Sequence, residues 1–343
     1  MRNMFMLHFI SLFVFILSLI YSLSSLTWLG CWIGMEVGNL MMYIWFNINS
    51  LNRNIIVSSM YYWVSGISGF GLLGCYFCYS MYPILSMIGF MFFFVFKMGL
   101  FPFYGWVLMI FKRLDYFIFF MLSSILKLPL IMLMDYFFNL GFTLLIIFGF
   151  IFSYLSLFVG VSGLSQMSLK GIMGYSSINV VSDFFISYML SYDLFIFVFV
   201  NYMLILIGMF ILLSLNINNI QNFYIYGLKG MNDNNKSYEM IFLALFGMPL
   251  FLSFYIKFYM SFYFLHQGYS FINLILFFLL MLVACLNYYR CWSYYNNFGS
   301  YNYGGYDDGL QNYLVLGYSN YYYFLLSFMF LGYYMMIMMV FYM

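Results

Sequence analysis

The chain has 343 residues, 66% of them hydrophobic and only 6% charged, with 11 Lys+Arg against 9 Asp+Glu. A soluble domain carries roughly 25% charged residues, so a fold of this length cannot cover a water-facing surface and its solvent is expected to be lipid. That balance, with a net charge of only +2, excludes a soluble enzyme, a nucleic-acid binder and a disordered chain. Long unbroken apolar runs likewise exclude a membrane barrel, whose strands alternate over about ten residues. Phe, Tyr and Met are abundant (47, 37 and 31), while Pro occurs four times and Ala only at 244 and 284. Phe and Tyr draw on AT-rich codons, Ala and Pro on GC-rich ones, so the composition points to an AT-rich organelle genome.

A bilayer-spanning helix needs about 20 apolar residues. Runs of this kind number eleven: 4–22, 27–46, 55–77, 84–111, 116–134, 140–164, 171–190, 194–215, 238–265, 271–289 and 321–342. The first begins almost at Met1 without the charged, short-cored pattern of a cleaved leader or an Arg-rich transit peptide, so it is expected to be retained. The fourth and ninth are long for one crossing. Polar loops are expected near 216–237, rich in Asn, and 290–320, rich in Tyr, Asn and Gly. The expectation is an all-α polytopic membrane protein of about eleven transmembrane helices, residues 1–343 forming a single helical domain.

Charge placement tests that count. With eleven spans the termini fall on opposite sides of the membrane. Arg2, Arg53, Lys112, Arg113, Lys170, Lys229, Lys236 and Arg290 then share the side of Met1, eight of the eleven cations. The opposite loops hold Asp135 and Asp193 and no cation. Positive residues mark the cytoplasmic or matrix side, so the N-terminus is expected there and the C-terminus opposite.

Taken in chain order, the spans contain few ionisable groups. Glu36 lies mid-span in Gly30-Cys31-Trp32-Ile33-Gly34-Met35-Glu36-Val37-Gly38-Asn39. Glycines 30, 34 and 38 form a small-xxx-small ridge suited to close helix packing. Glu36 lies about 200° round from Gly34, with Asn39 and Tyr43 following on one polar face. A structural interhelical hydrogen bond and an ion-path role are both open to Glu36.

Lys97, Lys127 and Lys257 are the three cations left inside spans. Each costs at least about 2.5–3.5 kcal/mol in the membrane and points to a protein interior or a hydrated path. Snorkelling to an interface is weakest for Lys97 and stronger for Lys127. Pro102, Pro129 and Pro249 lie near these lysines, and broken helices at membrane depth line buried cavities or water. A lysine that toggles between charged and neutral beside such a break can pass a proton. In the seventh span Ser176, Asn179 and Asp183 share a face, with Ser177 and Ser182 beside them. Helix glue and a hydrated path both fit, Asp183 being the most central.

Other chemistry is excluded. His8 and His266 are the only histidines, too few to ligate two haems. Cys75-Tyr76-Phe77-Cys78 ends an apolar helix with no second pair, so it does not read as a metal site. No Walker or dinucleotide glycine pattern occurs. No metal or cofactor is expected on this chain, and energy must come from partners.

Several motifs in order resemble the antiporter-like chain 2 family of NADH–ubiquinone oxidoreductase, respiratory complex I. Gly34-Met35-Glu36-Val37-Gly38-Asn39 is similar to its Glu-x-x-Asn helix, and Lys97-Met98-Gly99-Leu100-Phe101-Pro102-Phe103-Tyr104-Gly105-Trp106 to its Lys-x-Gly-x-x-Pro-Phe-His-x-Trp. Lys127-Leu128-Pro129 resembles its lysine–proline helix. Gln166-Met167-Ser168-Leu169-Lys170-Gly171-Ile172-Met173-Gly174-Tyr175-Ser176-Ser177-Ile178 resembles its Gln-Thr-x-Leu-Arg-Lys-x-x-Ala-Tyr-Ser-Ser-Ile. Gly247-Met248-Pro249 with Phe254 and Lys257 resembles its Gly-x-Pro-Pro-x-x-Gly-Phe-x-x-Lys.

The resemblance implies an antiporter-like fold with two broken helices that lacks the first three helices of the long form. It implies proton translocation coupled to quinone reduction elsewhere in the complex. In that reading Glu36 modulates Lys97, Lys127 relays along the central axis, and Lys257 exchanges with a neighbouring subunit or the release path. Asn39, Tyr104, Lys170, Ser176, Ser177, Asn179 and Asp183 are supporting polar residues. NADH, FMN, iron–sulfur clusters and ubiquinone are expected elsewhere in the assembly. Implied partners are other membrane-arm subunits, including neighbouring antiporter-like ones, and phospholipids such as cardiolipin. Tyr104 stands where the family has histidine, Gly171 where it has a basic residue, and Val180 where a histidine is usual, with Asn179 or Asp183 as substitutes. The implied location is the mitochondrial inner membrane, N-terminus in the matrix. A stand-alone cation/proton antiporter and a scaffold without a proton path are the alternatives.

Overall fold

A computed structural model describes residues 2–49, 55–138, 143–166, 168–215, 245, 252–267 and 271–299. Every regular element among them is helical: α1 (Arg2–Ser24), α2 (Trp28–Asn49), α3 (Ile55–Cys78), α4 (Pro83–Met98), α5 (Gly105–Arg113), α6 (Tyr116–Phe120), α7 (Lys127–Phe138), α8 (Thr143–Gly163), α9 (Leu169–Leu190), α10 (Tyr192–Leu215), α11 (Leu252–His266) and α12 (Phe271–Gly299). The chain divides into two compact units, Met1–Val159 with Val180–Ile186, and Gly160–Asn179 with Ser187–Met343.

In the first unit the glycine ridge of α2 packs on α1, as its spacing predicts. A Cβ at Gly34 would stand 2.7 Å from the Ser22 Cβ and 2.8 Å from the Ser18 carbonyl. Ser18 and Ser22 donate their hydroxyls to Phe15 O and Leu19 O of their own helix, both at 2.7 Å, which keeps the contact small and satisfied. With its glycine face on α1, α2 turns its polar face to α3, which also packs on α4.

The long fourth span is broken in two. At its break Gly99 adopts φ 70°, a left-handed conformation that glycine tolerates without a Cβ penalty. Its N–H donates to Phe96 O (3.3 Å) while Leu100 N–H donates to Val95 O (3.1 Å). This Schellman pairing ends α4 at Met98, one residue after Lys97. Pro102 lies exposed in the link to α5.

The fifth span is continuous but distorted: α6 opens into a π-helical turn, Met121–Ile125, before α7. Leu126 N–H reaches back five residues to Met121 O at 3.2 Å. Contrary to the expectation of a helix break at Pro129, the helix runs on through that position. Pro129 sits buried in the first turn of α7, and the helix widens one turn earlier. The proline ring cannot donate to the carbonyl four residues back, at Ile125, and crowds it; the π turn takes up that strain.

In the second unit, α11 packs on α10 and α12. Apart from Leu245, residues 238–251 of the ninth expected span, with Pro249, and all of the eleventh lie outside the described residues. α12 runs beyond the expected limit at Tyr289 to Gly299. Residues 290–299, expected as loop, are helical because no Gly or Pro interrupts them until Gly299.

Large apolar side chains point outward along many helices: Phe9, Ile10 and Phe13 on α1, Ile84, Leu85, Ile88 and Phe92 on α4, and Ile272, Ile275 and Leu279 on α12 are exposed. Water-soluble proteins do not expose apolar area on this scale, and acyl chains are its natural solvent. The stretches Met6–Ser24, Ile56–Cys78, Tyr116–Met134, Tyr192–Phe210 and Ile272–Tyr289 are long and apolar enough to cross a bilayer. The chain is a multi-pass integral membrane protein.

Candidate functional site

Several polar side chains of the first unit gather at one place. Lys97, in the last turn of α4, forms an ion pair with Glu36 of α2, its ammonium donating to Glu36 Oε1. The lysine side chain is 5% exposed and the carboxylate 20%. A cation in a helix's last turn is favoured by the backbone dipole, so the Gly99 stop places Lys97 where both its helix and Glu36 stabilise its charge. Glu36 Oε2 faces Asn39 Nδ2 at 3.5 Å, and Tyr61 of α3 donates its hydroxyl to Asn39 Oδ1 at 2.8 Å. Trp106 of α5 donates its indole N–H to Phe96 O at 3.1 Å, a carbonyl at the frayed end of α4.

Gly69 of α3 lies against the pair. A Cβ there would overlap the Glu36 carboxylate, standing 2.7 Å from its Cδ. Close approach of α3 to Glu36 therefore requires a residue without a side chain. Trp32 closes the same contact, donating its indole N–H to Gly69 O at 3.0 Å.

Asn39, Tyr61, Ser65, Lys97, Trp106 and Lys127 line one cavity of about 50 Å³, completed by apolar residues of α3, α5 and α7. A water needs at least roughly 10–15 Å³ of such space and two or more polar partners, so the cavity can hold a short chain of waters. Lys97 and Lys127 are each only 7% exposed, which removes snorkelling to an interface as an account of either side chain.

The other sequence-predicted residues do not join this cluster. Tyr43 turns its ring to Tyr62, centroids 5.1 Å apart. Tyr104 is half-buried in the link before α5, stacked on Phe101. Asp183 is half-buried on α9, within the first unit. In the second unit Ser176 and Ser177 are buried and donate to Met173 O (2.9 Å) and Gly174 O (2.8 Å) of their own helix. Asn179 is buried against α8, and a Cβ at Gly160 would stand 2.8 Å from its amide nitrogen. Lys170 is half-buried at the start of α9. Lys257 is half-buried on α11 and forms no ion pair or hydrogen bond among the described residues.

Sequence reasoning missed Tyr61, Ser65 and Gly69. Their signal was present: Tyr61, Ser65, Ser68 and Gly69 fall at i, i+4, i+7 and i+8, a polar and small stripe along an otherwise apolar α3. It also missed Asn287 of α12, 1% exposed, whose Nδ2 donates to Gly160 O at 3.0 Å.

The chain is thus an all-helical membrane protein whose broken fourth span carries a buried lysine paired to a glutamate of a glycine-ridged helix. The chain belongs to the NADH:quinone oxidoreductase/Mrp antiporter transmembrane family, whose profile matches residues 25–283. It is 28% identical over 247 residues to NADH-ubiquinone oxidoreductase chain 2 of Artemia franciscana, covering 70% of this chain and 75% of that one. Its fold is shared with a chain of the archaeal membrane-bound sulfane sulfur reductase, a respiratory membrane complex, at TM-score 0.75 and 16% identity, over 95% of this chain and 72% of that one. A chain of Thermus thermophilus respiratory complex I matches at TM-score 0.68 and 16% identity, over 88% and 72%. A chain of the Mrp complex from a Dietzia species matches at TM-score 0.67 and 13% identity, over 80% and 58%. The antiporter-like fold implied by the sequence motifs is the fold found.

Proposed function

We propose that the chain is a core membrane subunit of NADH:ubiquinone oxidoreductase that moves protons across the mitochondrial inner membrane, driven by quinone reduction elsewhere in the complex. The observation that supports this best is the Glu36–Lys97 ion pair opening onto a cavity that Lys127 also lines. A lysine released from its carboxylate can pass its proton through cavity water to a neutral Lys127 amine, and the pair reforms once the Lys97 amine has taken up a proton from the input side. Lys127 is the next acceptor, and Lys257 carries the transfer on towards a neighbouring subunit or the release path. Membrane-arm neighbours, including other antiporter-like subunits, and cardiolipin are the proposed partners. NADH, FMN, iron–sulfur clusters and ubiquinone reside on other chains in this reading. Met1 lies on the matrix side, following the charge asymmetry of the loops.

Tyr104, Lys170, Ser176, Ser177, Asn179 and Asp183 support the path only indirectly in this reading, and Ser176 and Ser177 act as packing groups. The test is the Lys97→Met variant in the purified, assembled complex, reconstituted in vesicles. Loss of pumping with the complex still assembled supports the path; full pumping refutes it. A second reading, a cation/proton antiporter outside NADH:ubiquinone oxidoreductase, shares this fold with a chain of the Mrp complex. Native purification decides between them, because such an antiporter would migrate apart from the oxidoreductase.

A further inference from the structure

We propose that Tyr61 is a positioning residue for the Glu36–Lys97 pair, acting through the side-chain amide of Asn39. The inference rests on the proton-path reading of that pair.

Asn39 presents two chemically opposite ends, a carbonyl oxygen that accepts and an NH₂ that donates. A carboxylate only accepts, so only the NH₂ end can face Glu36 favourably. Nothing in the asparagine itself selects that end, since a half-turn of the amide exchanges the two at nearly equal volume. The selection comes from α3. Tyr61 donates its hydroxyl to Asn39 Oδ1 at 2.8 Å, which leaves Nδ2 turned to Glu36 Oε2 at 3.5 Å.

The other carboxylate oxygen is taken by Lys97. Each Glu36 oxygen thus faces a donor, one charged and mobile, the other neutral and held in place. The Tyr61 hydroxyl is fixed in turn: the ring is 4% exposed and meets Phe46 edge-on, centroids 5.1 Å apart. In a cavity with little water, hydrogen bonds of this kind are stronger and more directional than in bulk. Without the hydroxyl, the amide can rotate its oxygen towards the carboxylate or swing into the cavity, and Glu36 loses the partner that holds it when Lys97 leaves.

Tyr61→Phe removes the hydroxyl and keeps the ring. The experiment compares Tyr61→Phe, Asn39→Leu and the double variant in the assembled complex, with pumping in vesicles normalised to the amount of complex. The expected result is a loss of pumping of about three- to tenfold for Tyr61→Phe, the range of one net hydrogen bond, with the quinone KM unchanged. Asn39→Leu loses at least as much, and the double variant no more than Asn39→Leu alone, because the two act in series. Wild-type pumping in Tyr61→Phe, or losses that multiply in the double variant, overturns the proposal. Lys97→Met is the control that separates the two ideas. If it pumps normally, the proton path itself fails; if it is inactive while Tyr61→Phe is silent, only the role of Tyr61 fails.

Discussion

In the first unit Tyr61, Asn39, Glu36 and Lys97 reach one another across α2, α3 and α4. In the second, Ser176 and Ser177 return their hydroxyls to their own backbone, and Asn287 reaches across only to the Gly160 carbonyl. Both units bury polar side chains in helices surrounded by apolar residues; the first joins four of them across three helices, while these bonds of the second end on backbone carbonyls. The difference lies in reach and charge. A serine in a helix satisfies itself on a carbonyl one turn back and contributes small volume to a close contact. Carboxylate, ammonium, carboxamide and phenol groups are too polar or too long for that solution and must find partners on other helices.

The largest expected effect breaks the ion pair. Lys97→Met or Glu36→Gln should cut pumping by at least about a hundredfold, the scale of a lost acid–base group. Each single change also leaves a partner buried alone, a cost of about 3–5 kcal/mol. The Glu36→Gln/Lys97→Met double variant should therefore assemble better than Lys97→Met, by native gel, and still fail to pump. A double variant that pumps would remove the pair from the mechanism.

Next in size is Gly69→Ala. Its new methyl group overlaps the flexible end of Glu36, so the carboxylate should shift and the helices stay packed. Pumping is expected to fall about ten- to a hundredfold, with the yield of complex close to normal. Retained pumping would mean that the position of Glu36 matters little.

The neutral polar groups of the second unit should respond through stability. Asn287→Leu loses its bond to the Gly160 carbonyl and presses a branched side chain on α8, where a Cβ at Gly163 would already stand 3.1 Å from Asn287 Nδ2. A destabilisation of about 1–3 kcal/mol should lower the amount of assembled complex and leave pumping per complex unchanged. Altered pumping per complex would bring Asn287 into the path. The smallest effect belongs to Ser176→Ala with Ser177→Ala, within about 0.5–1 kcal/mol in stability and silent in a pumping assay.

Much of the first unit's site was legible in the chain. Lys97 stood out because an ammonium deep in an apolar run is costly, and Glu36 because it is a carboxylate in the middle of an apolar span. The glycine ridge of α2 fixed which face could carry Glu36, and α1 occupies the other face as expected. The excessive length of the fourth span foretold its break. Tyr61 and Gly69 were less visible: a tyrosine among 37 tyrosines and a glycine among 27 gain meaning only from what lies opposite. The distortion near Lys127 was foreseen one turn late, because proline acts on the carbonyl four residues before it.

The sequence by itself determined that this is a helical membrane protein, roughly where its spans run, and which ionisable groups are buried in them. Those follow from local quantities: the apolar length a bilayer demands and the cost of a charge in hydrocarbon. Only the tertiary structure decided that Lys97 meets Glu36, that Lys127 shares their cavity, and that Asn39 is oriented by Tyr61. Partner choice depends on how three or four helices rotate and approach, and that rotation is set by packing summed over many residues, none of which marks the partner in its own segment of chain.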